Sequence, residues 1–163
     1  MSLKSFKKIR NFRTKKHKMI SQNVISNFDF DDVIIDANTF KYISTFISDD
    51  VTKFKWNCIT LSRIILINQT TGFGMKTPFP GGLQCIAIQR NNSIDQDVFL
   101  NAGEYSLSYY LQKRPGYSVN QIQISISGTV IFTEAAIPKI WTLDTNKFSN
   151  LNSSIINVKF AGL

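Results

Sequence analysis

The chain has 163 residues, 43% of them hydrophobic, and a formal net charge of +8, so its length fits one ordinary domain with a single core. Residues 1–19 hold eight basic residues and no acid, and the other 11 of the 19 Lys and Arg residues balance the 11 acids. The net positive charge thus comes from the first segment, and the rest of the chain is formally neutral, which excludes a net basic domain there.

The basic segment, residues 1–22, is predicted to be an N-terminal arm, extended or disordered until it binds, because its like charges repel and its apolar stripe is thin. Such an arm attracts nucleic acid, an anionic membrane surface or an acidic protein surface. It holds no apolar run of signal-peptide length, and no stretch of the chain approaches the roughly 20 apolar residues of a membrane span. The residues expected to anchor it are Lys4, Lys7, Lys8, Arg10, Arg13, Lys15, Lys16 and Lys18.

Residues 23–163 are predicted to form one domain of short strands separated by turn residues, with no helix. Apolar and polar residues alternate most clearly at 105–112 and 121–127, which indicates strands with one buried face. Many strands with Gly and Pro between them favour an antiparallel β-sandwich or barrel. The predicted strands are 42–47, 56–67, 83–89, 93–100, 103–112, 120–127, 130–133, 139–143 and 154–160.

The order of several short motifs along the domain is more specific than the fold class. They are NFDFD at 27–31, Trp56, PGGLQCIAIQ at 80–89, SIDQDVFL at 93–100, AGEYSLSY at 102–109, RPG at 114–116, QIQI at 121–124, Trp141 and FAG at 160–162. In this order they resemble the galactose-binding-like jelly roll of carbohydrate-binding modules. The resemblance implies two packed antiparallel sheets in a non-catalytic domain that binds sugars or acts as a structural adaptor.

Related sandwich domains occur in the particles of large DNA viruses, whose proteins are assembled without signal peptides. The chain is rich in Ile, Lys, Asn, Ser and Phe and poor in Ala, which is typical of an AT-rich genome. We therefore expect a minor capsid protein or other virion component of a large DNA virus, assembled in the host cytoplasm and packed in many copies against other capsid proteins. A carbohydrate-binding (lectin-like) module is the alternative, and nucleic-acid or membrane-surface binding through the arm is the third hypothesis.

Carbohydrate sites stack an aromatic ring on the sugar and surround it with amides and charged groups. The same residues would suit a sheet face that packs against a partner protein, and both interpretations stay open. The candidate residues are Tyr110, Gln112, Arg114, Tyr117, Gln121 and Gln123.

Three aspartates, Asp29, Asp31 and Asp32, are candidate ligands for a structural calcium ion, which prefers oxygen ligands. The resemblance supports this site, because several sugar-binding jelly rolls hold calcium near their first strand. Since the spacing matches no EF-hand, a solvated acidic loop is the favoured interpretation. No other cofactor is expected.

The sequence gives little support to an enzyme. The single histidine, His17, lies in the arm, so the domain lacks the side chain that most often titrates near neutral pH. Asp95, Asp97 and Glu104 are interpreted as an exposed strand face rather than a glycosidase pair. Without a signal peptide, Cys58 and Cys85 are expected to be reduced thiols rather than a disulfide.

Overall fold

The computed structural model describes residues 2–11 (as backbone), 24–26, 29–68, 79–80, 82–116 and 121–163. This part of the chain is mostly β-strand, with one α-helix, α1 (Ser48–Phe54), and two short 3-10 turns, Ile43–Thr45 and Leu61–Arg63. The all-β class is confirmed. The strands are β1 (Ser2–Asn11), β2 (Thr39–Tyr42), β3 (Asn57–Cys58), β4 (Ile64–Asn68), β5 (Gln84–Ile88), β6 (Asn92–Leu100), β7 (Gly103–Gln112), β8 (Ile122–Ile126), β9 (Thr129–Glu134), β10 (Thr142–Asn150) and β11 (Ser154–Gly162).

The strands form two antiparallel sheets that share one core. The first sheet has the order β10-β7-β1-β5-β4-β2, and the second has the order β3-β6-β11-β8-β9. Alternate residues of each sheet are buried between them, since each strand directs every second side chain to the same face. The rings of Tyr109 on β7 and Phe160 on β11 meet edge to face, with centroids 5.6 Å apart, and join the two sheets at the centre.

Two central strands of the first sheet are buried on both faces. All five residues of β4 and of β5 are buried, and those that face away from the main core form a second cluster with Phe79 and half-buried Trp141. The Phe79 and Trp141 rings lie 5.7 Å apart and nearly perpendicular. The outer side of β4 and β5 is therefore covered.

The predicted strands in the middle of the domain are confirmed, and those at its ends need correction. The prediction that no helix forms is wrong, since α1 is present. Its first turn holds Asp49 and Asp50, which favour the positive end of the helix dipole, and its last turn holds Lys53. A 3-10 turn interrupts the predicted strand 56–67. The predicted strand 42–47 is also wrong, because β2 ends at Tyr42 and a 3-10 turn begins at Ile43. The last edge strand is shifted as well: β10 runs from Thr142 to Asn150 rather than over 139–143.

Residues 2–11 of the predicted arm form a strand inside the first sheet. β1 lies between β5 and β7 and is antiparallel to both. This half of the basic segment is thus paired with the domain, while residues 12–22 lie outside the described residues. The boundary at residue 22 and an anchoring arm stay predictions.

In the part of the chain that the structure describes, every helix is too short or too polar to cross a membrane.

Candidate functional site

The residues predicted to bind a sugar or partner are divided between the two sheets, as far as the structure describes them. Tyr110 and Gln112 lie on β7 of the first sheet, and Arg114 lies in the turn that follows, whereas Gln123 lies on β8 of the second sheet. Tyr110 and Gln123 alternate with core residues of opposite sheets, so they occupy opposite outer faces. Exposed Gln121 directly precedes β8, and Tyr117 lies outside the described residues.

Gln112 is buried and has a structural contact. Its Nε2 donates to the carbonyl oxygen of Lys139 at 3.0 Å, and its Oε1 is also buried. This amide holds the segment that leads to β10, and a ligand outside the sandwich would not reach it.

The three aspartates predicted to bind calcium lie in the loop before β2. Asp29 Oδ1 accepts a hydrogen bond from the backbone nitrogen of Asp31 at 3.3 Å, and Asp31 Oδ2 accepts one from Leu83 N at 3.2 Å. Asp32 is exposed. No group of three or more His, Cys, Asp or Glu in the described residues is arranged to hold a metal. Asp31 Oδ1, buried and without a hydrogen-bond partner, is one oxygen where Ca²⁺ takes six to eight.

The outer face of the second sheet carries a connected polar group that we call the amide–carboxylate face: Asn57, Asp95, Asp97 and Asn157. Asn157 Nδ2 donates to Asp95 Oδ2 at 2.9 Å and to Asp97 Oδ1 at 2.8 Å. Asn57 Nδ2 donates to Asp95 Oδ2 at 3.2 Å. Three neighbouring strands, β3, β6 and β11, thus place two carboxylates and two amides on one surface.

Two large apolar side chains extend this face along the same strands. Phe99 on β6 is 61% exposed, and Ile155 on β11 is 69% exposed. They are direct cross-strand partners, as are Asp97 and Asn157, which lie two residues further along. An exposed ring beside hydrogen-bonding amides and acids can stack on a sugar or form the apolar centre of a protein contact.

Sequence reasoning recognised Asp95 and Asp97 as an exposed strand face but missed Asn57, Phe99 and Asn157 as their neighbours. The available signal was the alternation of Asp95, Asp97 and Phe99 with buried residues along β6. Nothing in the sequence alone indicates that β3 and β11 flank that strand.

The Cys58 thiol lies beside the amide–carboxylate face. Burial, with a smaller effect from nearby Asp95, raises its pKa to about 12, and its Sγ donates to the carbonyl oxygen of Trp56 at 3.9 Å. Because the thiolate is the nucleophilic form, this cysteine is unreactive at neutral pH. Cys85 is buried in β5 of the other sheet, and the two cysteines are not joined by a disulfide.

A second polar cluster lies where β10 forms the edge of the first sheet. Asn146 Nδ2 donates to the Tyr109 hydroxyl at 2.6 Å, and that hydroxyl donates to Asp144 Oδ2 at 3.3 Å. Burial, followed by the charge of Asp144, raises the pKa of Tyr109 well above its ordinary value. The phenol therefore stays neutral and acts as a hydrogen-bonding link between β7 and β10.

An open groove of about 480 Å³ lies beside the other edge strand, β2. Phe40 and Ile34 are exposed there next to Asp36, Lys41 and Asp50. Its lining mixes apolar and charged side chains without the connected hydrogen bonds of the amide–carboxylate face, and it is the weaker candidate.

Comparison with known proteins finds no matching family model, no matching curated protein and no matching solved structure.

Proposed function

We propose that this chain is a non-catalytic jelly-roll domain that serves as a structural or adaptor component of a larger assembly. The observation that carries the proposal is the strand order. From β5 to β11 the chain alternates between the two sheets, with only β8 and β9 consecutive in one sheet. These seven strands and β1 form two four-stranded units, β5-β1-β7-β10 and β6-β11-β8-β9. Two packed sheets of four strands each support the proposal, since a jelly roll has eight strands in two sheets.

The assembly is proposed to be the particle of a large DNA virus, in which the chain is a minor capsid or other virion component packed in many copies. Support comes from the resemblance, from the AT-rich composition and from Phe99 and Ile155, which expose apolar area beside the amide–carboxylate face. Exposed apolar patches with polar surroundings mark protein contacts. The proposed partners are the neighbouring capsid proteins.

Fractionation of infected or expressing cells tests this role directly. We expect the full-length chain to sediment with purified particles, and a Phe99→Ser, Ile155→Ser double variant to shift to the free pool while its melting temperature is retained. Leu143→Ser is the matched control, because Leu143 is 46% exposed but lies on β10 of the other sheet. A wild-type chain found only as free protein would overturn the proposal.

Carbohydrate binding is the second candidate, and the amide–carboxylate face favours it. Phe99 offers an exposed ring close to Asp97 and Asn157, whereas the residues first considered, Tyr110 and Gln123, lie on opposite faces. A glycan array should then lose its signal with Phe99→Ala and keep it with Tyr110→Ala. Blank arrays with the wild-type chain, or loss of signal with Tyr110→Ala alone, would count against this site.

A further inference from the structure

β1 fills a position in the middle of the first sheet that links two otherwise separate parts. Among the strands that the structure describes, β7 and β10 pair with the β5-β4-β2 group only through β1. Without it, the facing edges of β5 and β7 would present unpaired backbone groups, which readily bind another strand. The sheet thus contains a slot for one strand.

The sequence of β1 matches this slot in one register. Its three apolar residues recur every third position, whereas a strand places every second residue on one face. Two register shifts, between Lys4 and Phe6 and between Phe6 and Lys8, compensate for the difference. As a result, each apolar residue lies opposite a β7 residue that is buried in the core. The pairs are Leu3 with Leu111, Phe6 with Tyr109, and Ile9 with Leu107.

The pairing of β1 is nevertheless uneven. It follows β7 from Ser2 to Asn11, but it pairs with β5 only at Ser2 and Leu3. Four of its ten residues are Lys or Arg, which are typical of exposed edges rather than of a sheet centre. Strands with polar residues and irregular register are prone to slippage and to exchange between copies.

The chain between β1 and the rest of the domain is long enough for such an exchange. Twelve residues, 12–23, separate Asn11 from Val24, and thirteen residue steps can span at most about 45 Å. A folded chain of this size has a radius of gyration of about 15 Å. The same strand can therefore reach the slot of its own sheet or that of an adjacent copy.

We infer that β1 is an exchanged strand: the slot between β5 and β7 accepts residues 2–11 of a second copy of this chain. Reciprocal exchange would give a closed dimer, and one-way exchange would link copies in a row. The inference rests on the proposed assembly role and specifies how neighbouring copies are joined.

Cysteine cross-linking between two differently substituted chains tests the exchange. Lys8 and Ser108 are direct Cα partners of β1 and β7, and such pairs lie within the distance that a disulfide spans. Chains with Lys8→Cys are mixed with chains with Ser108→Cys, refolded together and oxidised. We expect a dimer on a non-reducing gel, with a peptide joining positions 8 and 108 found by mass spectrometry.

Two controls separate exchange from random oxidation. Wild-type chains report any background from Cys58 and Cys85, and Thr145→Cys replaces Ser108→Cys in a matched mixture. Thr145 pairs with Ser108 from the far side of β7, so a link from position 8 to position 145 should not form.

The inference would be overturned if a chain carrying both Lys8→Cys and Ser108→Cys cross-linked only within itself, or if no 8–108 link formed in a mixture whose circular dichroism shows folded protein. Particle fractionation gives the separate readout for the proposed function. A chain that exchanges strands yet never enters particles would overturn the assembly role alone, and a particle-bound chain with only internal links would overturn the exchange alone.

Discussion

At the scale of single residues, two buried glutamines hold segments that have no strand partners of their own. Gln84 Nε2 donates to the carbonyl oxygens of Phe30 and Val33, at 2.8 and 2.7 Å, and its Oε1 accepts from Ile35 N at 3.0 Å. Gln96 Nε2 similarly donates to the carbonyl oxygens of Ser26 and Lys55. Side-chain amides thus replace a sheet ladder for the chain before β2 and for the residue that follows α1.

Replacing Gln84 should be costly although it contacts no proposed ligand surface. Gln84→Met keeps the length of the side chain but removes three hydrogen bonds at a position with 0% exposure, and we expect a loss of about 2–4 kcal/mol in the free energy of unfolding. Urea denaturation measures it. Gln121→Met, at an exposed position, should stay within about 0.5 kcal/mol of wild type. Equal losses in both variants would contradict this role.

Alkaline pH should destabilise the fold through Cys58 and Tyr109. In the unfolded chain the Cys58 thiol loses its proton near its ordinary pKa of 9.0, whereas the folded chain holds it up to a pKa of about 12. The unfolded state therefore binds fewer protons between these values, and stability falls as pH rises through them. Tyr109 contributes in the same direction.

Each group adds a slope of at most about 1.4 kcal/mol per pH unit. Urea melts between pH 8 and 11 should show a smaller decline for Cys58→Ser than for wild type. If both curves fell in parallel above pH 9, Cys58 would not be a source of the effect.

At the scale of elements, strands with clear apolar alternation were predictable, and strands with polar inward positions were not. β7 matches its predicted bounds because apolar and polar side chains alternate along it. β10 was misplaced because Asp144 and Asn146 are partly buried toward the Tyr109 hydroxyl. Polar residues that face inward on an edge strand are a common protection against edge-to-edge pairing, and they erase the pattern by which a strand is recognised.

The hairpin between β8 and β9 depends on its second turn residue. Ser127 and Gly128 both have positive φ, 47° and 83°, as a two-residue type I′ turn requires. Nothing lies within 4 Å of a Cβ added at Gly128, so substitution changes only backbone strain. Gly128→Ala should cost about 1–2 kcal/mol in thermal or urea unfolding, and Gly128→Asn should cost less because Asn tolerates this conformation. If Gly128→Asn were less stable than Gly128→Ala, the turn would not be of type I′.

At the scale of the whole molecule, the class of fold was within reach of the sequence, but the candidate site was not. Alternation shows which residues of one strand face outward, but not which strands are neighbours. Asp95 and Asn157 are hydrogen-bonded although 62 residues separate them, whereas Tyr110 and Gln123, only 13 positions apart in the sequence, lie on opposite sheets. A surface built from three strands depends on the topology, which local patterns do not specify.

Charge provides a further test at this scale. Four basic residues, Arg13, Lys15, Lys16 and Lys18, follow β1, and changing all four to Gln lowers the formal charge from +8 by four. We expect weaker, less salt-sensitive retention on DNA or anionic vesicles with an unchanged melting temperature. The matched control replaces four exposed basic residues of the domain with Gln, which removes the same total charge. They are Lys53, Arg90, Lys139 and Lys147.

Equal loss of retention in both variants would show that total charge, rather than the segment after β1, governs binding.

The central place of β1 also sets an order of events during synthesis. Leu3 pairs with Leu111, so the ribosome makes more than a hundred further residues before β1 can pair with β7, which takes about 5–20 s at ordinary elongation rates. Throughout that interval the strand has no complete partner in its own chain. Chains made side by side on one messenger could capture each other's first strand before either has finished its sheet.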